Sequence, residues 1–282
     1  MVIEAVGGWI SGSLALLADS AHMLTDSASL AMSYAAVRAA SRPATESMSY
    51  GHHRWQVLAA FVNGLALLVL AVWITTEAVL RLRVGSSVQG NVVAAVATLG
   101  LLVNIAAFAV LARGERNLNV RSALAHVIGD MLGSLAALIA GGIIILSGWM
   151  PVDAILSSVV ALLMVVSGWR ICRESAHILL EGAPSNCDPA RVERELLSSV
   201  PDVTDVHHLH VWSLTDKRPV MTLHAVLCDG ADRDRTLAVI QTVLRNNFGV
   251  EHATVQIELT PCADDDCSSP GKAAAGSCGA AP

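Results

Sequence analysis

The stretch SALAHVIGDMLGSLAALIAGGIIILSGWMPV, residues 122–152, decides the fold class of this 282-residue chain. A helix needs about 20 predominantly apolar residues to cross the hydrocarbon core of a bilayer. This run is longer than that, and its only ionisable side chains are His126 and Asp130. The stretch therefore predicts a membrane-spanning helix that carries two polar groups within it.

Similar apolar runs occur elsewhere in the first part of the chain. They cover residues 13–37, 55–76, 84–112 and 154–169. The first of them is a span only if Asp19, His22 and Asp26 are tolerated in it. Residues 1–12 are apolar but too short to cross, and they lack the basic segment and the small-residue cleavage site of a signal peptide. We interpret them as the end of a truncated first span, which predicts a membrane α-helical bundle of the six-span type.

The composition argues against a single soluble domain. Hydrophobic residues make up 54% of the chain and charged residues only 15%, whereas soluble domains average about 25% charged residues. Residues 1–174 carry a net charge of +1, from 10 Arg against 9 Asp and Glu. Residues 175–282 carry −7, from 8 Lys and Arg against 15 Asp and Glu. Because the chain has no basic face, no nucleic-acid partner is expected.

After residue 175 the periodicity changes to that of a soluble domain. The segments with a recognisable pattern are a helix at 188–200, strands at 203–214 and 219–228, a helix at 231–249 and a strand at 252–259. The order αββαβ is typical of a small α+β domain with its helices on one face of the sheet. The chain is therefore divided into a transmembrane domain at 1–174, whose first span is incomplete, a soluble domain at 175–262 and a disordered tail at 263–282.

The arginines of the membrane domain predict its orientation, since cytoplasmic loops are enriched in Lys and Arg. The loops after the second, fourth and sixth spans contain most of them: Arg38, Arg42, Arg54, Arg113, Arg116, Arg121, Arg170 and Arg173. These loops lie on one side of the membrane, so they and the C-terminal domain are expected in the cytoplasm. Arg81 and Arg83 are exceptions on the opposite side.

A His-x-x-x-Asp motif occurs on two of the predicted spans. The second span contains His22 and Asp26, and the fifth contains His126 and Asp130. Positions i and i+4 of a helix lie on the same face, so each pair can present an imidazole nitrogen and a carboxylate oxygen to one point. Two such helices facing each other supply four ligands, the number and type that Zn²⁺ prefers.

The cost of these groups supports a bound cation. An ionised Asp near the centre of a membrane helix costs about 2.5–3.5 kcal/mol. Two copies of the motif with identical spacing favour a metal site over polar contacts between helices or a shallower location. Asp19, one turn before His22, can be a third ligand, a carboxylate at the mouth of the ion path or a residue of the helix start. We favour the helix start.

These motifs resemble those of the cation diffusion facilitator family of divalent-metal exporters. The resemblance covers GSLALLADSAHMLTDSASL (12–30), SYGHHRWQVLAAFVNG (49–64), ALAHVIGDMLGSLAAL (123–138), LLEGAP (179–184) and HHLHVWSLT (207–215). It implies a six-span transporter with a cytoplasmic ferredoxin-like domain that works as a homodimer in the lipid of a bacterial inner membrane. The His and Asp quartet resembles that of the zinc-preferring branch, with Cd²⁺ and Co²⁺ as alternative cargoes.

Two further metal sites of the family carry over only in part. In the loop after the second span, Thr45 and Met48 stand at positions where some bacterial members have ligands, so His52 remains as the candidate ligand there. His53 is its neighbour and can assist it. The loop site is therefore reduced in this chain.

In the C-terminal domain, the resemblance implies a cytoplasmic site at His207, His224 and Glu258, where zinc would act as a regulatory ion. Gln256 stands where the family has a further His, and an amide is a poor zinc ligand. The ligand set of this site is therefore incomplete.

Other polar residues of the C-terminal part receive structural interpretations. Strand alternation places His208 and His210 on one face of the sheet and His207 on the other. Cys262 and Cys267 lack the two-residue spacing of common zinc ligand pairs and are expected to be thiols of the tail. The family resemblance also implies a charge link between Arg54, after the second span, and Glu181, before the soluble domain.

The expected function is efflux of divalent cations, above all Zn²⁺, in exchange for protons. Zinc requires neutral imidazoles and ionised carboxylates, and an unperturbed His titrates near pH 6.5, so protons compete with the metal for His22 and His126. An intramembrane metalloprotease is not supported, because no His in the chain is followed by Glu as H-E-x-x-H requires. The alternative is a membrane metal sensor that binds metal without transporting it.

Overall fold

The computed structural model describes residues 1–113, 118–216 and 218–259, with the backbone alone at 118–123, 125 and 126. Its elements in chain order are α1 (Val2–Ser11), α2 (Leu14–Ala40), α3 (Arg54–Val84), α4 (Gly90–Ala112), α5 (Leu118–Ser147), α6 (Pro151–Leu179), α7 (Pro189–Ser199), β1 (Val203–Thr215), β2 (Arg218–Leu227), α8 (Arg233–Phe248) and β3 (His252–Glu258). The predicted tail at 263–282, which contains Cys267, lies outside the described residues, and so does Cys262 just before it.

Helices of membrane-spanning length dominate the first part of the chain. In the described part, four segments are long and apolar enough to cross a membrane: α3, α4, Val127–Ser147 of α5, and α6. Helix α2 has 27 residues, which is long enough to cross, but Asp19, His22 and Asp26 lower its hydropathy. Helix α1 is apolar and has 10 residues. The membrane α-helical bundle predicted from the sequence is confirmed.

The boundary between the third and fourth spans differs from the prediction. Helix α3 continues to Val84, past Thr76, and α4 begins at Gly90. Gly85 adopts φ 86°, a left-handed conformation that ends a helix and that Gly reaches without a steric penalty. The residues between Thr76 and Val84 are polar enough to look like a loop in sequence, but they lie within the last turns of α3.

Helix α2 lies between two groups of helices in the bundle. Leu14 and Ala18 of α2 pack in a buried cluster with residues of α3 and α6, including Ile74 and Met164. Leu16 of α2 packs in a second cluster with residues of α4 and α5. The helix that carries the first His-x-x-x-Asp motif is therefore in contact with both groups.

The described chain forms two compact units. One comprises Met1–Ala35 and Ala59–Arg173, and the other comprises Ala36–Leu58 and the residues from Glu174 onward. The loop after α2, with the adjoining ends of α2, α3 and α6, thus belongs to the same unit as the C-terminal sheet.

The C-terminal part has the predicted αββαβ order, which is confirmed. Its sheet has the order β1-β2-β3, with β1 antiparallel to β2 and β2 parallel to β3. Helices α7 and α8 begin at the caps Asp188 and Asp232, whose carboxylates accept hydrogen bonds from backbone N–H groups of the first turn. Leu196 of α7 and Ile240 and Leu244 of α8 are fully buried in one core with the sheet.

A β-bulge interrupts the pairing of β1 with β2. His207 pairs with His224 and His210 pairs with Thr222, so that two residues of β1 lie opposite the single residue Leu223. One of the two, His208, has φ 47°. The prediction that His207 lies on the opposite face from His210 is wrong, because the extra residue shifts the alternation of side chains by one position.

Candidate metal centres

Helix α2 brings His22 and Asp26 together. They are one turn apart, and His22 Nε2 lies 3.6 Å from Asp26 Oδ2. Within the described part of the chain, His22 Nδ1 is buried without a hydrogen-bond partner. A buried polar atom without a partner is costly, so this ring has binding capacity that the protein itself leaves unused.

The second motif lies on α5, beside α2. The Asp19 carboxylate approaches α5 closely, since its Oδ1 would lie 3.8 Å from a Cβ added to Gly133. Asp130 precedes Gly133 by three residues and therefore lies near it on the surface of α5. The backbone of His126 is part of the same helix, one turn earlier, and its side chain lies outside the described residues. The helices that carry the two motifs, α2 and α5, are thus neighbours near Asp19 and Gly133.

Asp19 is not a residue of the helix start, contrary to the interpretation favoured from the sequence. Gly12, with φ 71°, ends α1, and α2 begins at Leu14. Ser13 caps the new helix, because its Oγ accepts a hydrogen bond from the backbone N–H of Leu16 at 3.2 Å. The attraction of a helix N-terminus for a carboxylate fades within the first turn, and Asp19 lies beyond it.

A buried carboxylate explains why Arg81 departs from the arginine pattern. Asp153, which is 1% exposed, accepts hydrogen bonds from Ser13 Oγ at 2.5 Å and from the backbone N–H of Leu14 at 2.7 Å. Arg81 Nη1 lies 4.0 Å from Asp153 Oδ2 and donates to the carbonyl of Gly12. These contacts join the start of α2 to α3 and α6. Sequence reasoning missed Asp153, although an acidic residue between apolar runs was a usable signal.

In the C-terminal unit, the strands bring His207, His224 and Glu258 together. One potential ligand atom from each lies within 4.8 Å of the other two. His207 Nε2 lies 3.3 Å from Glu258 Oε2, and His224 Nδ1 lies 2.9 Å from Glu258 Oε1. His207 Nε2, His224 Nδ1 and Glu258 Oε2 are nevertheless buried without a well-formed hydrogen bond. Two imidazoles and a carboxylate that face each other in this way fit a Zn²⁺ ion with one coordination position left open.

Neighbouring groups orient these three side chains. Asp205 Oδ2 lies 2.9 Å from His207 Nδ1, which directs the Nε2 atom toward Glu258. Gln256 does not extend the ligand set, because its Nε2 donates a hydrogen bond to Glu258 Oε1 at 2.8 Å. A carboxylate on the outer nitrogen of a ligand His is a common second layer of zinc sites.

Comparison with known proteins identifies the family of this chain. Residues 1–180 match the family model described as cation efflux transmembrane domain, and residues 186–260 match the model described as cation efflux protein, cytoplasmic domain. This chain belongs to the cation efflux family. The family is that of the cation diffusion facilitators, so the resemblance seen in the sequence motifs is confirmed.

Curated relatives of this cation efflux protein are similar over most of their length. Zinc transporter ZitB of Escherichia coli (strain K12) is 48% identical over 269 residues, which cover 95% of this chain and 86% of the relative. Metal cation efflux system protein CzcD of Cupriavidus metallidurans is 37% identical, covering 95% and 85%. The cadmium, cobalt and zinc/H(+)-K(+) antiporter of Bacillus subtilis is 36% identical, covering 92% and 84%. These relatives are named as transporters and not as enzymes.

A solved structure, the metal-bound C-terminal domain of the CzcD transporter from Cupriavidus metallidurans, is 33% identical. It covers 26% of this chain and 99% of that domain, with a TM-score of 0.24.

In the loop after α2 of this cation efflux protein, His53 contacts Arg218, which is not a candidate ligand. His53 Nε2 lies 2.7 Å from Arg218 Nη1. Burial, together with the charges of Arg218 and His52, lowers the pKa of His53 below 6.5. Among the described residues, His52 belongs to no group of three metal-binding side chains. Thr45 and Met48 pair through their backbones and bring no further ligand to it.

The charge link implied by the family is present. Arg54 Nη2 lies 3.2 Å from Glu181 Oε1, and both side chains are partly exposed. Glu181 has φ 63° and lies just after the end of α6. The pair therefore connects the first residue of α3 with the segment that leads into the C-terminal domain.

Proposed function

We propose that this cation efflux protein exports Zn²⁺ from the cytoplasm in exchange for protons, through a site formed by His22, Asp26, His126 and Asp130. The observation that carries the proposal is the His22 and Asp26 pair at 3.6 Å on α2, with the same spacing repeated on the adjacent helix α5. The names of the relatives, zinc transporter ZitB and a zinc antiporter among them, support this cargo.

The chemistry of the four side chains suits exchange of a metal ion for protons. Two carboxylates balance the double charge of Zn²⁺, which makes a dehydrated ion acceptable within the bilayer. Each imidazole binds the metal only when it is neutral, and imidazole changes protonation near cytosolic pH. Protons that reach the site from outside therefore compete with the metal for His22 and His126 and favour its release. Cd²⁺ and Co²⁺ accept the same nitrogen and oxygen ligands and are secondary cargoes.

The proposal includes a regulatory Zn²⁺ in the C-terminal domain, held by His207, His224 and Glu258. The support is the set of buried, unsatisfied ligand atoms that converge there. A net charge of −7 over residues 175–282 would raise the local concentration of cations. His52 remains a candidate for weak metal contact in the loop.

We further propose a bacterial inner-membrane protein with a transport domain at 1–174 and a cytoplasmic domain at 175–262. The orientation rests on the excess of Arg in the three loops expected in the cytoplasm. A homodimer is proposed because the family model matching residues 186–260 is designated ZT_dimer. Two copies of the acidic domain would repel each other, and a bound cation would relieve that repulsion.

Flux measured in liposomes tests the proposed transport. Wild-type protein, Asp26→Asn and Asp130→Asn are reconstituted, and zinc and proton movements are recorded together with entrapped dyes. Both variants should lose zinc-driven proton flux, because one negative charge no longer balances the ion. Glu46→Gln, which removes an exposed carboxylate of the loop, is the matched control and should retain it. Zinc binding without flux in the wild type would instead identify a metal sensor.

A further inference from the structure

Three imidazole rings, not two, gather at the cytoplasmic metal site. The ring centroids of His207 and His224 are 5.3 Å apart, those of His208 and His224 are 5.0 Å apart, and those of His207 and His208 are 5.6 Å apart. His208 is the bulged residue of β1, and regular alternation would have turned it away from the other two. The bulge therefore brings a third imidazole to the same side of the sheet as His207 and His224.

The spacing of the rings matches that of ligands sharing one ion. At a Zn–N distance of about 2.0 Å, the centroid of an imidazole lies about 3 Å from the metal, so two imidazoles at a tetrahedral angle have centroids about 5 Å apart. All three separations in this cluster are close to that value. The ligand atoms within 4.8 Å of one another come from His207, His224 and Glu258 alone, so ligation by His208 requires its ring to turn toward them.

The backbone at His208 is unusual in a way that points to function. Its φ of 47° lies in the left-handed region, which a non-glycine residue adopts at a cost of about 1 kcal/mol or more. Such residues concentrate at ligand-binding positions, and β-bulges often redirect a side chain beside a functional site. Leu209, the other residue of the bulge, packs against the domain core. The bulge therefore places one side chain against the core and the other beside the two histidines.

We propose that His208 is the fourth ligand of the cytoplasmic metal ion, giving a set of three imidazoles and one carboxylate. The bulge in β1 thus supplies the ligand that Gln256 does not provide, while Gln256 orients Glu258 by hydrogen bonding. This inference rests on the proposed cytoplasmic site at His207, His224 and Glu258, and it adds a residue to that site. Its consequence is a closed, four-coordinate ion with no position left open for water.

Metal binding to the full-length protein in detergent tests the assignment. All variants carry His22→Ala, Asp26→Ala and Asp130→Ala, so that the transport site does not contribute. Binding of Zn²⁺ is measured by calorimetry, and Co²⁺ is used as a spectroscopic probe because its visible absorption reports the ligand number and the count of nitrogen ligands. His208→Gly is the central variant, since Gly adopts a positive φ without strain and preserves the bulge.

His208→Gly should weaken Zn²⁺ binding at least about tenfold, since even the loss of an outer-layer partner costs that much. It should also shift the Co²⁺ spectrum toward a set with one nitrogen fewer. The matched control is His210→Ala, an exposed residue whose ring lies 6.5 Å from His208 and which should bind as the parent does. Unchanged affinity and spectrum in His208→Gly, while His207→Ala abolishes binding, would overturn the assignment of His208 alone. If His207→Ala also binds normally, the cytoplasmic site itself is wrong.

Discussion

Ser13 donates a hydrogen bond to Asp153 across 140 positions of the chain, at 2.5 Å. The same carboxylate accepts the backbone N–H of Leu14 and faces Arg81 at 4.0 Å. Because Ser13 also caps α2, this one contact sets where α2 begins and ties that start to α6. Since His22 and Asp26 lie on α2, the start of this helix determines how far along the bundle they lie.

Neutralising Asp153 should therefore destabilise the bundle more than removing its hydroxyl partner. Asp153→Asn leaves Arg81 without its buried counter-charge and turns one amide donor toward another donor, which should lower the free energy of unfolding by about 2–4 kcal/mol. Ser13→Ala removes one hydrogen bond and should cost about 1 kcal/mol. Thermal unfolding in detergent micelles gives the ranking, and equal melting temperatures for the two variants would contradict it.

The close approach of α3 and α6 should not tolerate a methyl group at Gly64. A Cβ there would lie 2.7 Å from Cys172 Sγ and 3.1 Å from the carbonyl oxygen of Gly168. Gly64→Ala is expected to destabilise the bundle by about 1–3 kcal/mol, because the helices must separate. Gly142→Ala is the matched control, since nothing lies within 4 Å of its added Cβ. A melting temperature of Gly64→Ala at or above that of the control would show that the helices are less tightly packed.

The contact between His53 and Arg218 should make stability depend on pH. Burial and the neighbouring charge of Arg218 lower the pKa of His53 below 6.5, so below that pH the unfolded chain binds a proton that the folded protein excludes. This contribution to stability is complete above pH 6.5 and is lost as pH falls through the lower folded pKa. His53→Gln should flatten the pH dependence of the melting temperature in this range.

Replacing the neighbour provides the control for this assignment. Arg218→Ala removes one cause of the shift but leaves burial, so the pKa of His53 should move part of the way back toward 6.5. A titration of the His53 ring protons by NMR measures it directly. An unchanged pKa would mean that burial and the charge of His52 produce the shift without Arg218.

The pair of Arg54 and Glu181 should couple the C-terminal domain to transport. Both side chains are partly exposed, so little stability is expected from the pair, and its role should be seen in the rate of zinc flux. Arg54→Glu and Glu181→Arg should each reduce the flux in liposomes, and the double reversal should restore it. Arg42→Glu, which reverses a charge of the same loop without touching the pair, serves as the control. Failure of the double variant to recover flux would speak against coupling through this pair.

Local patterns were sufficient for most of the secondary structure and for the proximity of one pair of candidate ligands. Apolar length predicted the spans, alternating and helical periodicities predicted αββαβ, and the i, i+4 spacing correctly brought His22 and Asp26 together. The C-terminal end of α3 was harder to predict, because the charged residues Glu77 and Arg81 are typical of a loop in the sequence. In the structure they form an ion pair one turn apart on the helix. Asp19 was misassigned for a different reason: the predicted span already began at residue 13, and the structure shows that Ser13, and not the acidic Asp19, caps this helix.

The sequence by itself determined that the chain is a membrane bundle followed by a small α+β domain, because span length and residue period are local properties. Only the tertiary structure decided which polar side chains of different segments meet. The bulge at His208 changes the face of every later residue of β1, and no periodicity within one strand encodes a shift in its pairing with another. Asp153 and Arg81 likewise meet only because α2, α3 and α6 pack together. Contacts between distant segments depend on strand register and on packing. The register of β1 against β2 is what brings the histidines of the C-terminal sheet together.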